Sequence, residues 1–234
     1  MTPYYDDEGI TIYHGDCREV LPQLPPVDLI LTDMPYGIGV DYGNTYADSK
    51  DALVKLIPAV FGLMTWKAKR VLLTTGVDNM WLYPKPDWVL SWACPAGSGF
   101  GRWGFSCWQP ILAYGPDPYL EAGKGRRGDL FVLTESSEKN GHPCPKPINL
   151  WKRVMMRGSI RDEDVVIDPF MGSGTTLLAA KDLGRRAIGI EVNESYCQIA
   201  VERLRQSVLP FDDDQVILAE PQMDLFAFAE ATAQ

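Results

Sequence analysis

Apolar positions along the 234-residue chain follow two rhythms. Continuous runs closed by a polar residue, Val27–Asp33 (VDLILTD), Arg70–Thr75 (RVLLTT), Asp164–Asp168 (DVVID) and Arg186–Glu191 (RAIGIE), read as buried parallel strands. Thr11–His14 alternates and reads as a further strand, followed by a short helical piece over Cys17–Leu24. Helical spacing predicts helices over Asp51–Trp66, with a kink at Pro58, and over Ile148–Met156, Ser173–Asp182 and Glu194–Gln206. Gly184 reads as the stop after the third of these. The stretch Pro84–Asn140 breaks the rhythm, being rich in Trp, Gly and Pro. It holds two strand-like runs, Trp88–Ala93 and Gln109–Tyr114, and a glycine-rich basic loop, Gly123–Gly128. Buried strands alternating with helices predict an α/β fold with a doubly wound, mostly parallel, Rossmann-like sheet. Ligands of such sheets bind at the carboxyl ends of the strands.

Composition narrows the class. No apolar run approaches the roughly 18 residues of a membrane span. Asp6, Asp7 and Glu8 in the first ten residues do not fit a signal peptide. Five cysteines, at 17, 94, 107, 144 and 197, are odd in number and lack a C-x-x-C pair, as expected of reduced thiols in a cytoplasmic protein. Cys94, Cys107, His142 and Cys144 match no zinc-finger spacing, so no metal is expected. The net charge of −9 argues against a polyanion as partner until its distribution is considered. Residues 1–50 and 191–234 each carry net −7, whereas residues 51–190 carry net +5. A basic middle between acidic ends can face a polyanion or simply be a solvated surface.

The strand ends carry the chemistry. Asp33, Asp168 and Glu191 each close a strand, and Asp16 follows another. Any one of them can be a plain cap or turn residue; four at one sheet edge are harder to dismiss. In Asp168–Thr176 (DPFMGSGTT), a strand runs through Gly172 and Gly174 into a helix. It is neither a dinucleotide fingerprint, since Leu177 stands at the third glycine position, nor a phosphate-binding loop, since no Lys–Ser/Thr follows. Glu191 closes the next strand, where a carboxylate can accept both hydroxyls of a ribose. The ligand expected is a nucleoside without a pyrophosphate. The second signal is Asp33–Tyr36 (DMPY) followed by Gly37. Asp33 and the Met34 carbonyl, oriented by Pro35, are two acceptors for the two donors of an exocyclic amine. Tyr36 offers a face on which a base can stack.

The pair DMPYG and DPFMGSGTT resembles the amino-methylating DNA methyltransferases, which act on adenine N6 or cytosine N4 with S-adenosylmethionine. The catalytic motif comes first, as in the permuted group, and the resemblance covers about residues 10–205. It implies one methyltransferase domain over residues 1–209, a recognition insert at roughly 95–140, and an acidic tail over 210–234. Asp33, Met34, Pro35 and Tyr36 would be catalytic; the family's second position is usually proline, and Met34 keeps the carbonyl but loosens the turn. Asp16, Lys146, Asp168, Phe170, Gly172, Ser173, Gly174, Thr175 and Glu191 would hold the cofactor, with Asp16 at its adenine, Glu191 at its ribose and Lys146 at its carboxylate. Lys146 closes His142–Pro147 (HPCPKP), which resembles the family's element before the cofactor strand.

The partner implied is double-stranded DNA. Arg102, Lys124, Arg126, Arg127, Lys152, Arg153 and Arg157 are the candidates for its phosphates. Family members are often homodimers, and solitary or restriction-modification enzymes of the cytoplasm of a bacterium or phage-infected host. In the tail, Gln222–Phe226 (QMDLF) resembles the peptide by which bacterial replication proteins hold the sliding clamp. Loss of clamp pull-down on deleting Gln222–Gln234 is the check on that contact. Asp at the first catalytic position tilts the reading to adenine N6. Cytosine N4, an RNA substrate and a catalytically inert binding module are the alternatives.

Overall fold

The computed structural model describes residues 1–40, 47–95, 97, 99–101, 103–134 and 146–206. Arg102, His142, Cys144 and the tail with Gln222–Phe226 lie outside the described residues. The chain begins with β1 (Tyr5–Asp7), β2 (Ile10–His14), α1 (Cys17–Val20), β3 (Val27–Asp33), α2 (Lys50–Lys67) and β4 (Ala68–Thr74). The middle contributes β5 (Trp88–Ala93), β6 (Gly99–Gly101), β7 (Gly104–Ser106), β8 (Trp108–Tyr114), α3 (Pro118–Glu121) and β9 (Leu130–Val132). The last third is α4 (Ile148–Gly158), β10 (Val165–Asp168), α5 (Thr175–Asp182), β11 (Arg186–Glu191) and α6 (Glu194–Arg205).

One nine-stranded sheet runs in the order β1-β2-β11-β10-β3-β4-β8-β5-β9. The strands from β2 to β4 are parallel, β8 is antiparallel to both its neighbours, and β1 is an antiparallel edge. Period-two alternation sends side chains of one strand to opposite faces. Leu29 and Leu31 of β3 join a core with α4, α5 and α6, while Ile30 joins the core of α1 and α2. Both faces of the sheet are therefore covered, which explains why its strands read as continuous apolar runs. Pro58 sits inside α2 without ending it. No described helix is long and apolar enough to cross a membrane.

The topology selects the site. The crossover α5 leads from β10 to β11 on one side, and α2 leads from β3 to β4 on the other. The direction reverses between β10 and β3, so a crevice opens at their carboxyl ends. Asp168 and Asp33 stand there, in adjacent strands 135 residues apart in sequence.

The stretch 95–140, expected as a recognition insert, is only partly separate. Its β8 and β9 are strands of the main sheet, and the β6–β7 hairpin is a separate two-stranded piece. Because β5 is parallel to β9 and antiparallel to β8, the hairpin between β5 and β8 emerges at the carboxyl edge, beside the crevice. Segment 115–129 emerges at the amino edge, where Gly115 (φ +89) packs so close that a Cβ would lie 2.4 Å from the Lys69 carbonyl oxygen.

Candidate active site

The DMPY turn is clamped from four directions. The Asp33 carboxylate accepts from the Tyr36 hydroxyl (2.9 Å) and the Thr74 hydroxyl on Oδ1, and from Lys146 Nζ on Oδ2. Thr74 is opposite Asp33 in the β3–β4 register, so the sheet itself fixes Oδ1. Asn79 donates through Nδ2 to the Tyr36 carbonyl (2.6 Å). Buried Asp48 accepts the N–H groups of Gly37 (2.6 Å), Ile38 (3.1 Å) and Val40 (3.0 Å). Gly37 has φ +67, and a Cβ there would lie 3.1 Å from the Ser49 carbonyl oxygen, so the turn requires glycine. Met34 points its side chain into the core, where the Tyr83 hydroxyl meets its sulfur at 3.6 Å. Core packing thus holds the turn at the position where the family usually has a second proline. Burial, reinforced by the Asp33 charge, pushes the Tyr36 phenol well above its ordinary range, so it stays a donor to Asp33.

Across the crevice, Gly172 (φ 51) and Gly174 (φ 81) turn the chain from β10 into α5. A Cβ on Gly174 would lie 2.8 Å from the Ala200 Cβ, because α6 packs directly behind the turn. Gly189 of β11 is equally tight, with a prospective Cβ 2.4 Å from the Met171 sulfur. Glu191 accepts the N–H groups of Gly172 (3.0 Å) and Asn193 (2.8 Å), one on each oxygen. Burial raises its pKa while those backbone donors oppose the rise. One cavity is lined by Asp16, Asp33, Pro35, Lys146, Phe170, Gly172 and Glu191, among others. These residues suit an S-adenosyl cofactor: a glycine turn at an uncapped helix start, a carboxylate at the end of β11, an aromatic ring and an amine share one space.

The geometry gives several of these residues further partners. Asp168 lines the same cavity and is largely buried, and it accepts from Thr32 Oγ1 (2.7 Å), from the Thr176 hydroxyl and from Phe170 N (3.0 Å). Trp151 of α4 in turn donates to Thr176 (2.7 Å). Asp168 therefore ties the two motifs together from behind. Ser173 and Thr175 are buried and face Arg203 of α6, which donates to the Ser173 carbonyl (2.6 Å), so the turn offers its backbone to a ligand more than these hydroxyls. Asp16 lines the cavity, but it caps α1 and pairs with Arg18, whose hydrogen bonds hold its pKa down. Lys146 reaches Asp33 rather than standing apart as a surface lysine.

The phosphate candidates do not gather at the crevice. Arg126 and Arg127 line a groove at the amino edge with Arg157, where Arg127 and Arg157 flank the Tyr119 ring. Lys124 belongs to the same exposed loop. Arg157 is paired with Asp117, and Lys152 with Asp182 (2.7 Å), while Arg153 is exposed on the outer side of α4. Arg70 to Thr74 of β4 separates the groove holding Arg126, Arg127 and Arg157 from Asp33 by about 13 Å. What stands at the carboxyl edge instead is the hairpin, with Phe100, Trp103 and Phe105 largely exposed. The thiols of Cys17 and Cys197 are pushed up to about 12 by burial and stay protonated.

Asp168 gives a pH signature. Burial pushes its carboxyl up to about 6 against the pull of the threonine hydroxyls. A carboxyl with a higher pKa folded than unfolded binds its proton more tightly in the folded state. Its contribution is fully present below the unfolded value of 3.8 and is lost as pH rises through about 6. Denaturant titrations from pH 4 to 7 are expected to show wild type losing up to about 3 kcal/mol relative to Asp168→Asn. Parallel pH curves for the two proteins would contradict this account of the ionised, buried carboxylate.

The chain is similar to known proteins over most of its length. The family described as DNA methylase (N6_N4_Mtase) matches residues 78–202. The type II methyltransferase M.HinfI of Haemophilus influenzae is 39% identical, over 89% of this chain and 72% of its own. The DNA adenine methyltransferase YhdJ of Escherichia coli K12 is 27% identical, over 86% of this chain and 84% of its own. The structure of the M1.HpyAVI–SAM complex superposes with a TM-score of 0.61 at 25% identity, covering 83% of this chain and 99% of its own. The chain belongs to the N6/N4 family of DNA methylases.

Proposed function

We propose that this protein is a site-specific DNA methyltransferase that moves the methyl group of S-adenosylmethionine to the N6 atom of an adenine turned out of the duplex. The observation that carries the reading is the single cavity joining the glycine turn and Glu191 to Asp33, with Asp33 already held by Thr74 and Tyr36. Bound in that cavity, S-adenosylmethionine supplies an electrophilic methyl on a sulfonium sulfur. Glu191 would take the ribose hydroxyls and Phe170 would pack on the cofactor, while Gly172 and Gly174 let the backbone approach its amino-acid part.

The residues around Asp33 do the rest. An exocyclic ring amine is a poor nucleophile because its lone pair is delocalised into the ring. Asp33 Oδ2 accepts one N–H and the Met34 carbonyl accepts the other, which favours a tetrahedral nitrogen and stabilises the positive charge that develops on it. Thr74 and Tyr36 fix the carboxylate before the base arrives, so the carboxylate itself keeps its orientation. Once the methyl has transferred, the nitrogen carries an acidic proton, which leaves to the Asp33 carboxylate or to water. Only 25% of the Asp33 side chain is exposed, so the base must leave the stack to reach it. The exposed aromatics of the hairpin at that edge offer faces to bases. Support for adenine comes from Asp33 at the first catalytic position and from the names of relatives such as YhdJ. The test is transfer of labelled methyl from S-adenosylmethionine to unmethylated DNA and, in parallel, to RNA. Label in DNA is expected; label confined to RNA would overturn the substrate class.

A further inference from the structure

Lys146 occupies an unexpected place. Its side chain is only 9% exposed, its Nζ donates to Asp33 Oδ2, and the same nitrogen stands 5.0 Å from the centre of the Tyr36 ring. Those two contacts are the ones the proposed reading gives to the target base: a donor N–H on Asp33 and a body against Tyr36. The ammonium thus stands where the amine would go. Asp33 Oδ1 is already taken by Tyr36 and Thr74, so Oδ2 is the oxygen a substrate needs. Lys146 also lines the cavity that runs past the glycine turn to Glu191. A lysine has one charge and a flexible stem, and can serve a carboxylate on either side of that cavity.

We infer that Lys146 is a latch on the base site, a positioning residue that fills the place of the target amine until the carboxylate of the cofactor draws it away. Base admission then depends on the cofactor. The inference rests on the proposed function and adds an order to it: the cofactor first, the base second. By linkage the two ligands strengthen each other's binding by one common factor, set by the difference between the latched and unlatched states.

The test uses the full protein and duplex DNA with 2-aminopurine at the target adenine, reading base eversion by fluorescence and affinity by titration. In wild type, S-adenosylhomocysteine is expected to tighten target binding about tenfold. Methylthioadenosine, which lacks the carboxylate, is expected to leave it nearly unchanged. Lys146→Met is expected to bind and evert the target without any ligand, as wild type does with S-adenosylhomocysteine, and its coupling factor falls close to one. A lysine that merely attracts DNA would give the opposite sign, with weaker binding on its removal. Equal coupling in wild type and Lys146→Met, or equal action of methylthioadenosine and S-adenosylhomocysteine on wild type, would overturn the latch. The second comparison needs no variant. Absence of eversion under every condition would instead overturn base eversion onto Asp33, and the latch with it.

Discussion

Asp33→Ala and Asp33→Asn are expected to lose methyl transfer by on the order of a thousandfold while binding S-adenosylhomocysteine at least as tightly as wild type. In the proposed reaction Asp33 receives the transferring nitrogen, whereas the glycine turn and Glu191 lie on the other strands of the crevice. Loss of kcat with cofactor affinity kept is therefore the signature. The two variants differ in their side effects. Alanine leaves the Lys146 ammonium, with only 9% of its side chain exposed, and the Thr74 hydroxyl without this acceptor, and leaves the Tyr36 hydroxyl to Gln109 Oε1 (3.3 Å). Removing one partner of a largely buried pair is more damaging than replacing both. Asparagine keeps an acceptor for Thr74 and Tyr36 but places a donor against Lys146 if its amide faces that side. Combining Asp33→Asn with Lys146→Met removes that clash and restores stability without restoring activity. Single-turnover rates and calorimetric cofactor titrations check both arms; activity within tenfold of wild type in Asp33→Asn would remove Asp33 from the chemistry.

The second large effect is expected at Gly174. Alanine there meets two obstacles at once. The residue has φ +81, a conformation in which an L side chain costs about 1–2 kcal/mol. Its Cβ would also lie 2.8 Å from the Ala200 Cβ, so α5 or α6 must shift, at a typical overpacking cost of about 1–3 kcal/mol. Gly174→Ala is expected to lower stability by about 2–5 kcal/mol and to weaken S-adenosylhomocysteine binding at least tenfold, since the turn that faces the cofactor moves. Gly184→Ala is the control. It shares the positive φ (+64) but has open space around its Cβ, so it carries the backbone penalty alone and leaves cofactor affinity intact. Chemical denaturation and calorimetry separate the two; equal losses would show that α6 packing does not set the turn.

Much of this architecture is legible in the chain. Val27–Asp33 and Arg186–Glu191 occupy their expected spans because a strand covered on both faces is largely apolar, and Trp88–Ala93 does so as a half-buried strand with Leu90 and Trp92 inside. The elements that escape are those whose order comes from partners. β1 is YDD, a polar edge strand held by its register with β2, and β9 is three residues docked on β5. α3 carries a readable signal, Asp117 before Pro118, with the Asp117 carboxylate accepting from Tyr119 N. In the site, the strand-end carboxylates and glycines are visible because their positions follow from the strands. Asp48 and Asn79 look like ordinary loop residues, and their roles exist only where the chain folds back on Gly37 and Tyr36. Lys146 meets Asp33 across 113 residues of sequence. The placement of the basic residues escapes for a related reason. Charge says nothing of which sheet edge a loop leaves from, and the antiparallel β8 sends 115–129 to the amino edge.

The claim at the centre is that Asp33 receives an adenine amine and the glycine turn holds the methyl donor. The most direct measurement is to incubate the protein with S-adenosylmethionine and unmethylated DNA, digest the DNA to nucleosides and identify the methylated species by mass spectrometry, with Asp33→Asn alongside. N6-methyladenine in wild type and none in the variant is the predicted result. N4-methylcytosine would keep the mechanism and contradict the base. No methylated nucleoside from a protein that binds both ligands would contradict the account itself.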